Sequence, residues 1–260
     1  MGFSALDRYK IVNGNVDIAK QVMTQLQITA TTFWYRKDLN WAFPYVYCLV
    51  TNEIIRQAAA GTFQSQTRAF RWIANFYELY ILNLNCYLSG GDAESPWMTA
   101  FKAPATLRPS DPWGARSVAA FIVGMFAHIK SDLPRVLAFI YLKFYSPNSG
   151  QPDPDIVGPP SPSAAYQDGK TDYDVMNEKV FPTVMNQMAM GSTQIIPEIT
   201  TILPDPIRNG FLNFFADRSR LPRERADAWT VGQAYAADMR VQETVTQFQV
   251  TKTITPVRFP

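Results

Sequence analysis

QSQTRAFRWIANFYELYILNLNCYL, residues Gln64 to Leu88, is the stretch on which the fold turns. Its Phe70, Ile73, Tyr77, Tyr80, Leu84 and Tyr87 recur at steps of three and four, so a helix carries them as one broad aromatic stripe. Ser89-Gly90-Gly91 ends it. Upstream, Asp38 to Ala60 repeats the pattern with Trp41, Tyr45, Cys48, Leu49, Asn52 and Ile55 on one face and Gly61 as the stop. Pro44 fits that helix only in its first turn, where its missing N–H has no partner to lose. Asn15 to Thr31 is a third amphipathic helix, with Val16, Ile18, Ala19, Val22, Met23 and Leu26 inward and Asn15 as N-cap. Three such helices in succession predict a bundle.

Downstream, Ser95-Pro96-Trp97 reads as a turn-rich piece, and a fourth long helix runs from Ala115 to Tyr145. Its first half is apolar almost all round, which places it in the middle of the bundle. Pro134 removes one amide and crowds the Lys130 carbonyl, so a kink or restart is expected there, with Asp132 as the N-cap of the restarted helix. Six of the 19 prolines fall between Pro147 and Pro162, which makes residues 146–166 a long loop. With Ile156-Val157 as its apolar anchor, that loop is expected to be a lid. Helical pattern resumes at Asp172 to Met190, Pro197 to Phe215 and Pro222 to Val241, and residues 245–260 read as an extended arm that a neighbouring subunit could receive in a homodimer. The expectation is one all-α domain over residues 1–260, a bundle of about seven helices.

The composition narrows the function. Hydrophobic residues make up 47% and charged residues 18%, as in a chain with a packed core. The net charge of +2 comes without a basic cluster, so nucleic acid is not an expected partner. One histidine and two cysteines leave no site that needs several imidazoles or thiolates. Cys48 and Cys86 lie in apolar helical stretches, which suits reduced packing residues and a reducing compartment. The start, MGFSALDRYK, has no signal-peptide core, and Leu6 stands where a myristoylation motif wants Ser or Thr, so a cytoplasmic location is expected. The longest apolar run, Ser117 to Ile129, is too short for a membrane span.

His128 and Asp132 stand four apart on one helix face, beside the expected break. They have two readings. In one, Asp132 orients the imidazole, which exchanges a proton or donates a hydrogen bond in a buried cleft; in the other, His128 is a satisfied core residue and Asp132 only caps. Glu53 and Glu78 are carboxylates inside apolar helices, and buried carboxylates need partners. Glu53 has Arg56 three residues on, whereas Glu78, between Tyr77 and Tyr80, has no cation one turn away and is the better pocket candidate. His128, Asp132, Glu78 and Asp172 or Asp174 match no metal-ligand spacing, so no metal is expected. The 17 Phe, 12 Tyr and 6 Trp exceed what a bundle core requires and can line a cavity for an apolar small molecule, with Met125 and Trp97 among its contacts. There is no phosphate-binding Gly loop and no Gly-x-Ser-x-Gly elbow, hence no expected nucleotide cofactor or hydrolase triad.

Gly124 to Leu137, GMFAHIKSDLPRVL, resembles the Ala-His-Ile-x-x-Asp-Leu signature of an uncharacterised helical family of actinobacteria and fungi. Val50 to Glu53, Ser95 to Phe101 and Asp172 to Asn177 are similar in kind and order, so the resemblance spans Asp38 to Met190. Phe126 stands where that family usually has Asn. The resemblance implies an all-helical fold with His128, Asp132 and Glu53 at its site and no settled activity. In overall character the chain is also similar to cofactor-independent cyclases of fungal natural-product pathways, including those that promote Diels–Alder closures. What this implies is a lyase or cyclase acting on an apolar polyketide or terpenoid, with His128, Tyr77 and Tyr80 as donors. A metal-dependent hydrolase using His128 and carboxylates, and a non-catalytic carrier or partner-binding helical module, are the alternatives.

Overall fold

The computed structural model describes residues 8–108, 113–146, 149, 162–189 and 220–260. Helix α1 spans Val16–Tyr35, and the Asn15 side chain accepts from the Ile18 amide at 2.9 Å, as its N-cap position requires. One 3₁₀ turn, Leu39–Trp41, capped by Asp38, leads into α2, Ala42–Ala59, with Pro44 in its first turn. Gly61 ends α2 at a φ of 70°, a conformation that side chains with a Cβ rarely adopt. Ser65 caps α3, Gln66–Leu88, by accepting from the Arg68 amide at 3.1 Å.

The centre of the bundle belongs to α3, not to the 115–145 helix expected there. Every residue from Arg68 to Leu84 is buried, because the polar ones bring their own partners inside. Asn75, for example, accepts from the Tyr9 hydroxyl and the Val12 amide and donates to the Val12 carbonyl, at 2.8, 2.9 and 2.8 Å.

Ser95-Pro96-Trp97 opens a helix, α4 (Ser95–Thr106), where a turn was expected; Pro96 sits in the first turn, which needs no amide there. The next helix, α5 (Trp113–Ala127), is interrupted just ahead of Pro134. It widens into a π turn, His128–Asp132, closed by the Leu133 amide bonding back to the His128 carbonyl, and continues as α6, Leu133–Ile140. The extra residue in the turn absorbs what Pro134 removes. Asp132 keeps helical angles, and its carboxylate caps nothing. A second π turn, Tyr141–Tyr145, follows.

Helix α7 covers Pro162–Val175, ten residues ahead of the Asp172 start read from the sequence, so residues 162–166 are helix and not loop. It passes through a third π turn, Met176–Val180, into α8, Phe181–Ala189. The Pro147–Pro162 lid, apart from its last residue and Ser149, and the Pro197–Phe215 helix lie outside the described residues. The expected Pro222–Val241 helix is two: α9, Arg220–Ala237, and α10, Met239–Gln247, divided at Asp238, whose side chain caps α10 through the Arg240 amide at 2.8 Å. α9 lies along α6.

The arm begins as helix, then forms β2 (Val250–Thr251), parallel to β1 (Ile11–Val12) with Ile11 opposite Val250. It continues over α3 and α1 of its own chain. Tyr77 donates to the Thr255 carbonyl at 2.9 Å, Asn85 to the Pro256 carbonyl at 3.0 Å, and Phe259 packs edge-on against Phe33 with centroids 5.3 Å apart. Phe248, Ile254, Val257 and Phe259 of the arm are thus partly buried against their own chain, while Val250 stays exposed. Among the described residues no helix is long and apolar enough to cross a membrane.

Candidate functional site

Beneath the π turn of His128 lies a cavity of about 70 Å³ with an almost wholly apolar wall. Helix α2 contributes Phe43, Tyr47, Val50 and Ile54, α3 contributes Ile73 and Phe76, α5 Phe121 and Met125, and the far side is Met176, Phe181, Val184 and Arg225. His128 lines it, 14% exposed, boxed by the rings of Phe76, Tyr47 and Phe43 at centroid distances of 4.9, 5.5 and 5.7 Å. Gly124, one helical turn before His128, is packed so tightly on Phe43 that a Cβ there would approach the ring at 3.2 Å.

The imidazole Nδ1 is 3.7 Å from Asp132 Oδ2, buried and without a hydrogen bond among the described residues. Asp132 is fully buried and firmly held. Trp97 Nε1 donates to its Oδ2 at 2.9 Å and Arg135 Nη2 to its Oδ1 at 2.8 Å. Arg135 also forks onto Glu94 at 2.7 and 3.0 Å, and Glu94 accepts from Asn83 at 3.1 Å. Burial pushes the Glu94 carboxyl up, but the bonds and charge of Arg135 and the bond from Asn83 outweigh it, and the net shift is downward. Burial likewise disfavours the Arg135 cation, and Glu94 and Asp132 reverse that, so its pKa is raised. The carboxylate under the histidine is therefore fixed in position by two donors and a second acid.

Of the residues singled out in the sequence, the structure brings His128, Asp132, Met125 and Trp97 together: Met125 in the wall and Trp97 as the donor to Asp132. Tyr80 packs behind the wall, 5.0 Å from Phe43 and 5.1 Å from Trp97. The others turn elsewhere. Glu78 faces the C-terminal arm, where it accepts from the Thr255 amide at 3.0 Å and from the Thr255 hydroxyl, and Tyr77 bonds the same arm. The cation one turn away that Glu78 lacked was never needed, since backbone and hydroxyl donors from a distant segment serve it. Glu53 is buried but satisfied by Arg56 at 2.6 and 2.8 Å and Gln57 at 2.6 Å on its own helix. Asp172 accepts from the Gln64 and Ser65 amides and Arg68, at 2.6, 3.2 and 3.0 Å, tying α7 to the start of α3, and Asp174 pairs with Lys170. Among the described residues no three His, Cys, Asp or Glu side chains gather as a metal site.

Sequence reasoning missed Arg135 and Glu94, which hold Asp132, and Arg225, which is 5% exposed in the cavity wall. Arg135 had a signal, its i,i+3 spacing from Asp132. So did the far wall: Phe181-Pro182 after a helical run parallels Leu133-Pro134, and each pair follows a π turn. Tyr47 stands in the wall but donates to the Ile73 carbonyl at 2.9 Å, and burial, then the charge of Asp132, pushes its phenol well above 10.0, so it serves as wall and not as acid.

The model of a family of unknown function (DUF5995) matches residues 19–256 of the chain. No curated protein and no solved structure matches.

Proposed function

The chain belongs to that family of unknown function, and we propose that it is an enzyme of the lyase or cyclase class whose substrate enters the His128 cavity. The observation that carries this reading is the Nδ1 of His128, without a hydrogen bond among the described residues and 3.7 Å from a carboxylate that Trp97 and Arg135 hold in place. A histidine serving only the core would have its nitrogens satisfied. Here a small movement of the ring closes the bond to Asp132, which sets the Nδ1–H tautomer and leaves the other nitrogen free for the substrate. That nitrogen then exchanges a proton with the substrate, or donates to a carbonyl, among apolar side chains that exclude most water and so strengthen the interaction.

The volume bears on the substrate. About 70 Å³ is far below the roughly 300–1,000 Å³ of pockets that enclose drug-sized ligands. A polyketide or terpenoid would place only its reacting end beneath His128, and a substrate of a few carbons would fit whole. The test is untargeted: wild-type protein is incubated with small-molecule extracts, and mass spectrometry follows which compounds disappear or form. The changes made by wild type should be absent with His128→Gln and strongly slowed with Asp132→Asn. Equal conversion by all three proteins would remove His128 from the chemistry.

A further inference from the structure

The described part of the molecule holds several buried arginines, and Arg225 differs from those that meet an acid. Arg68 pairs with Asp172 at 3.0 Å and Arg135 with Glu94 and Asp132 at 2.7 and 2.8 Å. Arg225, at 5% exposure, has no carboxylate among the described residues. Its Nε donates to Asn177 Oδ1 at 2.5 Å, and its guanidinium lies 4.1 Å from the Phe181 ring centroid and 5.1 Å from that of Tyr173. The Tyr173 hydroxyl bonds the Arg225 carbonyl at 2.6 Å, which holds the backbone in place. Aromatic faces and one amide compensate a buried cation only in part, and burial accordingly lowers the Arg225 pKa. The two terminal nitrogens make no hydrogen bond among the described residues, and the side chain is part of the cavity wall.

We infer that Arg225 is an anchor for the carboxylate of a short-chain organic acid bound in the His128 cavity. The inference rests on the reading of that cavity as a substrate site. A guanidinium stacked on aromatic faces keeps its in-plane N–H groups for a partner, and their fork matches a carboxylate. Phe76, Met125 and Met176 then surround the carbon chain, and a volume of about 70 Å³ limits the enclosed part to a few carbons. The substrate so defined is bifunctional: a carboxylate on Arg225 at one side of the cavity and the reacting atom within reach of His128. Position and charge select it, because the wall offers little other polarity.

The test uses the full chain with ¹³C-methyl methionine, reading the Met125 and Met176 methyl signals during titration with butyrate, 1-butanol and butylammonium. Wild type should bind butyrate about tenfold more tightly than 1-butanol and butylammonium more weakly than either. Arg225→Met should bind butyrate and 1-butanol alike, while His128→Gln keeps the preference. Extending the acid to hexanoate and octanoate separates a short acid, whose affinity levels off, from a fatty-acid headgroup, whose affinity climbs with every carbon and would overturn the short-chain assignment. If 1-butanol binds wild type as well as butyrate does, the cavity stands and the anchor falls. If none of the probes moves either methyl, cavity and anchor fall together. Should Arg225→Met fail to fold, the three-probe comparison in wild type decides, with Arg225→Lys expected to keep a reduced preference for the acid.

Discussion

The π turn at His128–Asp132 and the one at Met176–Val180 share a construction and differ in cargo. Each is followed by one apolar residue and a proline, Leu133-Pro134 and Phe181-Pro182, and each closes with an amide bonding back five residues, Leu133 to His128 and Phe181 to Met176. In both, the first residue of the turn faces the same cavity. A proline inside a long helix would otherwise strip a carbonyl of its donor and crowd it, and one extra residue relieves both at the cost of a local bulge. The first turn buries a carboxylate, Asp132, and fastens it with Trp97 and Arg135. The second buries no acid: Glu178 and Lys179 are exposed, and Asn177 reaches instead to Arg225. The same backbone device thus puts a carboxylate-backed imidazole on one side of an apolar cavity and, on the other, helps hold a guanidinium that meets no carboxylate among the described residues. Backbone form sets which turn residues meet the cavity, His128 and Met176, and the residues behind them set what is held there, Asp132 under the first and Asn177 bonding Arg225 of α9 beside the second.

The difference can be broken from either side. Arg135→Met should have the largest effect, about 3–5 kcal/mol of stability in urea unfolding, because Asp132 and Glu94 would stay buried without their cation. A loss below about 1 kcal/mol would mean that the network under His128 is not closed as described. Met176→Ala acts on the apolar turn and should cost about 2 kcal/mol, the low end for a truncated core methionine, since the space it opens joins an existing cavity. The enlarged cavity should then accept longer 1-alkanols than wild type does.

Acid titration sharpens the contrast between this network and the arm. Glu94 has a lowered pKa in the folded state, so its contribution is present above the ordinary value of 4.5 and is lost as pH falls through the folded value. Glu78 is the reverse: burial raises its pKa against the Thr255 bonds, so the folded state holds the proton more tightly, and stability falls as pH rises from 4.5 through the folded value. Glu94→Gln should therefore flatten the acid limb of the stability profile and Glu78→Gln the limb above it. Both variants flattening the same limb would contradict the two shifts. The smallest stability change, within about 1 kcal/mol, is expected for His128→Gln, because no hydrogen bond at Nδ1 is lost, while binding of 1-butanol persists and turnover disappears.

Much of this could be read along the chain. Asn15, Gly61 and the stripe of α3 mark helix ends and faces because capping and three-to-four spacing are local physics. That His128, Asp132 and Met125 lie together was legible for the same reason, since they fall within two turns of one another along the chain. Helix α4 was not, since Ser-Pro-Trp suits a turn and a helix start equally and only packing on α5 chooses. Nor was the use of Glu78, whose donors come from Thr255 at the far end of the sequence.

By itself, then, the sequence determined an all-α bundle, the start of its first helix, the ends of the second and third, and a histidine with a carboxylate one turn on. Tertiary structure alone decided that α3 takes the centre, that Asp132 answers to Trp97 instead of to free amides, and that Arg225 stands in the wall of the cavity that His128 lines. The division has a physical cause. Periodicity and caps act over a few residues, whereas the partner of a buried charge is whichever segment the packed core brings to it, and that is a property of the whole fold.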